Sequence, residues 1–185
     1  METLMKNTTK LIAACAVWAC ASSVFAHIVL QDTSAAAGSS YRAVLRVGHG
    51  CDGSPTTAIQ VTIPAGFNGA QPMPKAGWTV STQRGKLAEP YTSHGKTYTE
   101  GVQAITWTAN GAENALPADF YDEFILRGTT PNTAGAIWFK VVQTCAKGVN
   151  AWVEIPASGT STKGMKSPAA LLEVQAPEIG VLHNH

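Results

Sequence analysis

Thiols, charge and long apolar runs are all in short supply in this chain. Of four cysteines in 185 residues, Cys15 and Cys20 fall near the start, which leaves Cys51 and Cys145 for a folded domain. Charged residues make up 14% of the chain, with 13 Lys and Arg against 12 Asp and Glu. No basic block interleaves with aromatics, which excludes the electrostatic footprint of a nucleic-acid binder. No amphipathic basic helix is present for a membrane surface. The apolar run "LIAACAVWACA", Leu11 to Ala21, falls short of the roughly 20 residues that a bilayer span needs.

Catalytic signatures are missing as well. There is no G-x-S-x-G, and the serines cluster in turns, so a hydrolase triad has no basis. No P-loop or dinucleotide glycine pattern points to phosphate. Asp119, Asp122 and Glu123 in "ADFYDEF" read as a solvated turn entering a strand rather than as an acid–base pair.

What is present begins with a leader. Lys6 and Lys10 form a basic n-region, Leu11–Ala21 an apolar h-region, and Val24 and Ala26 occupy the −3 and −1 positions of a cleavage site. Residues 1–26 are therefore expected to be a signal peptide, cut before His27, and the product exported to the periplasm. A lipoprotein reading at Cys15 or Cys20 fits less well, with Lys10 close ahead of the first and Trp18 two residues before the second. Loss of Lys6, Lys10 and Glu2 leaves 11 basic and 11 acidic residues and no net charge. The remainder suits one domain, residues 27–176, followed by a His-containing tail, 177–185, expected to be mobile. Cys51 and Cys145 are an even pair in an oxidising compartment, where a disulfide is the default reading. It would be worth about 4–5 kcal/mol in the chain-entropy model. A soft copper site of free thiolates is the alternative, weakened by the absence of a local C-x-x-C.

Short β-type runs fill the domain: His27–Leu30, Tyr41–Val47, Ala58–Ile63, Trp78–Thr82, Val102–Thr108, Glu123–Arg127, Ala136–Gln143 and Ala151–Ile155, with "LLEVQ" as a possible last strand. In "AIQVTI", Ile59, Val61 and Ile63 alternate with Gln60 and Thr62, the period of a half-buried strand. Pro55, Pro64, Pro72, Pro74, Pro117 and Pro131 fall between the runs. This pattern predicts an all-β, antiparallel two-sheet sandwich. Trp78, Trp107 and Trp138 are assigned to packing.

The histidines carry the remaining chemistry. An N-terminal His27 would offer an α-amine of pKa about 8 and an Nδ1 that closes a chelate ring on the same ion. One further imidazole completes a T-shaped set of three nitrogens, which suits the tetragonal preference of Cu(II). His49 in "VGHGCDG" is the natural candidate, beside Cys51 and flanked by glycines that allow close approach. The other reading of His49 is an ordinary surface-loop residue. His94 in "TSHGK" reads as an exposed loop residue, and His183 and His185 as an accessory metal-capturing H-x-H.

The ordered segments "AHIVL", "AGSSYRAVLRVGHGC", "PTTAIQVTIPAGF", "PKAGWTV", "ITWTA", "DEFILRG" and "WFKVVQTCAKGVNAWVEIP" resemble the YcnI-like family of exported, copper-associated domains. The likeness spans nearly everything after residue 26. It implies an immunoglobulin-like β-sandwich holding one Cu(II) per chain through the mature N-terminal histidine, with a carboxylate nearby and a Trp close to the metal. The histidine corresponds to His27 and the Trp to Trp152, for which a purely structural anchor is the other reading. Many relatives carry a Pro-Asn-Glu-type turn after the second strand, where this chain has "GHGC". The departure suggests that His49 replaces the carboxylate, with Asp52 in reserve.

The expectation is a periplasmic Cu(II)-binding protein for copper trafficking, storage or homeostasis. It is expected not to be an enzyme, to bind no nucleic acid, and to have a copper chaperone or membrane copper transporter as its partner. Two other readings stay open: an oxidative copper enzyme built on a histidine brace, and a sandwich that binds no metal.

Overall fold

The structure, a computed structural model, describes residues 27–176; the expected signal peptide, residues 1–26, and His183 and His185 lie outside them. Among the described residues the chain forms β1 (Val29–Leu30), β2 (Ser34–Ala36), β3 (Ser40–Val47), β4 (Thr56–Thr62), β5 (Asn68–Pro72), β6 (Trp78–Ser93), β7 (Lys96–Ala109), β8 (Asp122–Thr129), β9 (Gly135–Cys145), β10 (Val149–Trp152) and β11 (Ala170–Gln175). A single 3-10 turn covers Ala112–Asn114. One sheet runs β1-β3-β8-β5, the other β2-β11-β9-β4-β7-β6. β10 pairs with β9 through Val149↔Thr144 to Trp152↔Val141, and β11 takes the same strand's earlier residues.

Two faces of period-two side chains make the core. Leu45, Phe124 and Leu126 from the smaller sheet meet Ile59, Val61, Ile105, Trp107, Phe139, Val141 and Leu172 from the larger, all fully buried. Truncating one of these to Ala costs about 2–5 kcal/mol. Trp107 crosses the gap to Phe124 at a centroid distance of 5.8 Å, and its indole N–H donates to the Met73 carbonyl at 3.0 Å.

The sandwich departs from expectation in several places. Pairing is antiparallel except at β2, which lies parallel to β11 with Ser34 beside Glu173. β5 is an additional strand: Gly69 and Pro72 disguise it as a turn, and Pro72 closes it rather than lying between runs. As an edge strand it tolerates the missing N–H. β10 starts two residues earlier than expected and ends at Trp152. Trp78 and Trp107 are core residues, whereas Trp138 stands half-buried on the outward side of β9, level with Leu171. The β6–β7 hairpin is much longer than its two predicted strands. β4 pairs with β7 only from Ala104 onward, so earlier residues of β7 and their β6 partners continue past the sheet as a two-stranded arm. Its tip is His94–Gly95, both at positive φ (48° and 74°), the geometry of a tight two-residue hairpin turn.

Cys51 and Cys145 are joined, with Cα atoms 5.9 Å apart, and both are buried. The bond removes the thiolate site as an alternative at these two residues. Tyr41 ties the β1–β2 segment to β3: its hydroxyl donates to the Asp32 carbonyl oxygen at 2.5 Å. Burial first, and the Asp32 charge second, push its phenol up to about 12.

Two outcomes are expected. The C51S/C145S variant should lose up to about 4–5 kcal/mol in equilibrium denaturation, and reducing agent should then shift wild type but not the variant. The unfolded chain ionises Tyr41 near pH 10 but the folded one only near 12. The unfolded state therefore binds fewer protons in that window, and stability should fall across it while staying unaffected below. Denaturation midpoints of Y41F should lack this part of the alkaline loss.

Candidate metal centre

The ends of β3 and β9 and the start of β4 meet at one end of the sandwich. β1 runs antiparallel to β3 with Val29 level with Arg46 and Leu30 level with Leu45. Continuing that register backwards brings His27 level with Gly48, next to His49. Ile28, 2% exposed, is the first core residue and fixes the segment from which His27 projects.

Both imidazoles pack on one indole. The His27 ring meets Trp152 at a centroid distance of 5.5 Å and 88°, and the His49 ring meets it at 6.4 Å and 75°. These are edge-on contacts, the arrangement that aromatic quadrupoles favour. Trp152 itself is 3% exposed.

The two rings differ in their free nitrogens. His49 Nδ1 lies 2.5 Å from the Gly50 carbonyl oxygen. A carbonyl only accepts, so Nδ1 carries the proton and Nε2 keeps an unshared lone pair. An imidazole oriented by a carbonyl at one nitrogen and free at the other is a ligand-ready ring. In His27, Nε2 is buried and has no hydrogen-bond partner among the described residues. A metal on Nδ1 would fix the proton on that Nε2. Two neutral imidazoles and no thiolate form a donor set that fits Cu(II).

The loop that carries His49 is held from three sides. Gly50 N–H donates to the Ala118 carbonyl at 3.1 Å, and Cys51 is tied to β9 by its disulfide. Gln143 Nε2 donates to the His49 carbonyl at 2.7 Å. A Cβ on Gly50 would lie 1.9 Å from the Ser54 carbonyl oxygen, so this turn closes only with glycine there. Asp52 sits exposed at the next corner with φ 46°. Among the described residues no group of three or more His, Cys, Asp or Glu side chains gathers, so Asp52 does not join the two rings.

Gln143 was missed in the sequence, and it is the residue that holds this end together. It is 1% exposed. Its Oε1 accepts from Trp152 Nε1 at 3.2 Å, while Nε2 donates to Thr56 Oγ1 at 2.8 Å as well as to His49. Thr56 faces inward because the β4–β9 register shifts between Thr56 and Ala58, a bulge that turns an extra residue toward the core. One signal was available: Gln143 falls on the inward period of Phe139, Val141 and Cys145, where a polar residue requires buried partners.

Fold and site together define a β-sandwich domain whose one end presents two histidines against a buried, hydrogen-bonded tryptophan. The chain belongs to the family described as a domain of unknown function, DUF1775, whose profile matches residues 27–174. Among solved structures it is similar to an uncharacterized protein from Nocardia farcinica described as having an immunoglobulin-like fold. The two share 23% identity with a TM-score of 0.61, over 80% of this chain and 97% of that one. The sandwich is thus immunoglobulin-like. No curated protein matches the chain.

Replacing Gln143 with Leu should strand the Trp152 N–H, the His49 carbonyl and the Thr56 hydroxyl. Leaving buried groups unpaired costs about 1–3 kcal/mol each. Equilibrium denaturation should register that loss, and hydrogen exchange at Gly50 and Cys51 should accelerate. Unchanged exchange there would separate the loop from Gln143.

Proposed function

We propose that this protein is an exported, periplasmic Cu(II)-binding protein of the YcnI-like kind, serving copper trafficking, storage or homeostasis rather than catalysis. Signal cleavage before His27 frees an α-amine, which with His27 Nδ1 chelates one copper ion. His49 supplies the third nitrogen through Nε2. The observation that carries this reading is the convergence of His27 and His49 on Trp152, with His49 already in the tautomer that leaves Nε2 free.

Each residue has a separate task. His27 contributes the donor that exists only in the processed chain. Gln143 and the Cys51–Cys145 bond hold the His49 loop in position. Trp152 walls the inner side of both rings and keeps water from it. A wall of that kind favours retention over oxidative turnover, which needs open room for dioxygen and substrate. The ion is cargo, so a copper chaperone or a membrane copper transporter is the partner that this chemistry calls for.

Protein beginning at His27 should bind one equivalent of Cu(II). Retaining Ala26 turns the amine into an amide, and affinity should fall by more than about 100-fold, beyond what loss of a supporting contact costs. Electron paramagnetic resonance should show nitrogen hyperfine structure from two imidazoles, reduced to one in H49A. Equal affinity with and without Ala26 would overturn the amine's role.

A further inference from the structure

At the end of the sandwich opposite His27 and His49, the β6–β7 arm bends back over β5 and the β8–β9 loop. The bend has a covalent cause. Gly85 lies directly across from Gly101, and the side chains of their diagonal neighbours occupy the space. A Cβ on Gly101 would sit 2.8 Å from Leu87 Cδ2, and one on Gly85 2.9 Å from the Gln103 amide. Pairing then jumps from Lys86↔Glu100 to Tyr91↔Tyr98. Residues 87–90 stand against Thr99 alone, three more than the ladder needs; they line the cavities under the arm and include Pro90, which donates nothing to the ladder. Tyr91 comes down close to Gly69 of β5: its hydroxyl oxygen would be 3.7 Å from a Cβ there.

This bend walls a cleft of about 830 Å³ between the arm and the sandwich. Tyr91 and Tyr98 form one wall, their rings stacked at 5.1 Å and 13°. Around them stand Arg84, Glu89, Glu100 and Asn132. Among the described residues none of these six side chains makes a hydrogen bond or ion pair within the protein, although side-chain bonds occur throughout the rest of the domain. Their donors and acceptors are left for water or a ligand.

The lining narrows the choice of ligand. Charges of both signs balance here, Arg84 and the Lys96 over the Tyr98 ring against Glu89 and Glu100, and give no field for a phosphate or a nucleic acid. The polar lining is wrong for an acyl chain. An extended peptide would need the free edge of β5 as a template, but that edge is broken by Gly69 at φ 65° and by Pro72, which disfavours strand addition. The stacked tyrosines cover each other's inner faces, and Lys96 lies over the Tyr98 ring, which leaves the outer face of Tyr91. Beside planar amide, carboxylate and guanidinium groups, that face matches a pyranose ring, with a C–H face for stacking and hydroxyls that both donate and accept. We propose that this cleft binds a neutral oligosaccharide, with one sugar unit against the Tyr91–Tyr98 wall.

The test uses wild-type protein, metal-free and Cu(II)-loaded, in nuclear magnetic resonance titrations with maltotetraose and with chitotetraose up to about 10 mM, well above a millimolar Kd. At least one sugar should shift the amides of Tyr91, Tyr98 and Asn132 while leaving those around His27 and His49 in place, with or without copper. Y91A/Y98A alters only the projecting hairpin and should weaken the sugar by about tenfold or more. Near-ultraviolet circular dichroism of its buried tryptophans serves as the folding control. Silence of the cleft amides with both sugars would overturn the proposal, and so would equal affinity in a folded Y91A/Y98A. A Thr/Val-rich strand-forming peptide that shifts the β5 amides while both sugars fail would replace it with strand addition. Neither overturning outcome depends on the histidines, so failure here and failure of copper binding are distinguishable.

Discussion

The histidine end of this domain depends on one buried carboxamide. Gln143 satisfies both ends of its amide inside the sandwich, accepting from Trp152 and donating to Thr56 and to the His49 carbonyl. A group so deeply buried is tolerated only because its bonds are made. The consequence is that β4, β9, β10 and the loop after β3 share one hydrogen-bond network, so the indole and the His49 backbone cannot shift independently. The disulfide two residues further along β9 sets how close that loop lies. The amide sets how it is turned. Partners coupled in this way hold a ring in place more firmly than pairwise sums suggest.

The same network explains why each histidine is suited to its part. His49 needs a fixed tautomer, and its carbonyl neighbour Gly50 imposes one. Gly50 is in turn held by Ala118 and has no space for a side chain beside Ser54. The backbone that carries His27 is fixed by Ile28 and Leu30, each 2% exposed. In the proposed copper site, rings held in this way would avoid the ordering cost that flexible ligands meet on binding. The opposite end of the molecule follows another logic: a hairpin that leaves the sheet, bends at facing glycines and keeps its polar groups unspent.

Much of this was legible in the residues. Alternation in "AIQVTI" placed Ile59 and Val61 inward, and the leader-to-strand junction singled out His27. The glycine-flanked "GHGC" drew attention to His49 beside its disulfide. What escaped did so for physical reasons. Gly85, Pro90 and Gly101 look like strand breaks, yet in a two-stranded arm they produce a bend without ending the pairing. Gly69 and Pro72 hid β5, because an edge strand lacks the constraints of a central one. Trp138 resembled a core residue, but its parity on β9 turns it outward. Gln143 looked like the polar end of an apolar run, and only its partners across three elements reveal its role. Side-chain parity is visible in a sequence, while the partner across a sheet is set by topology.

The parallel seam between β2 and β11 has a bearing on time. β1 belongs to the smaller sheet and β2 to the larger, with only Gln31–Thr33 between them. β2 has no partner until Glu173–Gln175 arrives from the far end of the chain. Contacts this distant in sequence form slowly, because the intervening chain must be closed into a loop first. The second strand of the domain therefore waits for its last one. His27 is spared that delay, because β1, which carries it into the fold, pairs with β3, its near neighbour in the chain. The β2–β11 seam thus draws the two ends of the domain into one sheet.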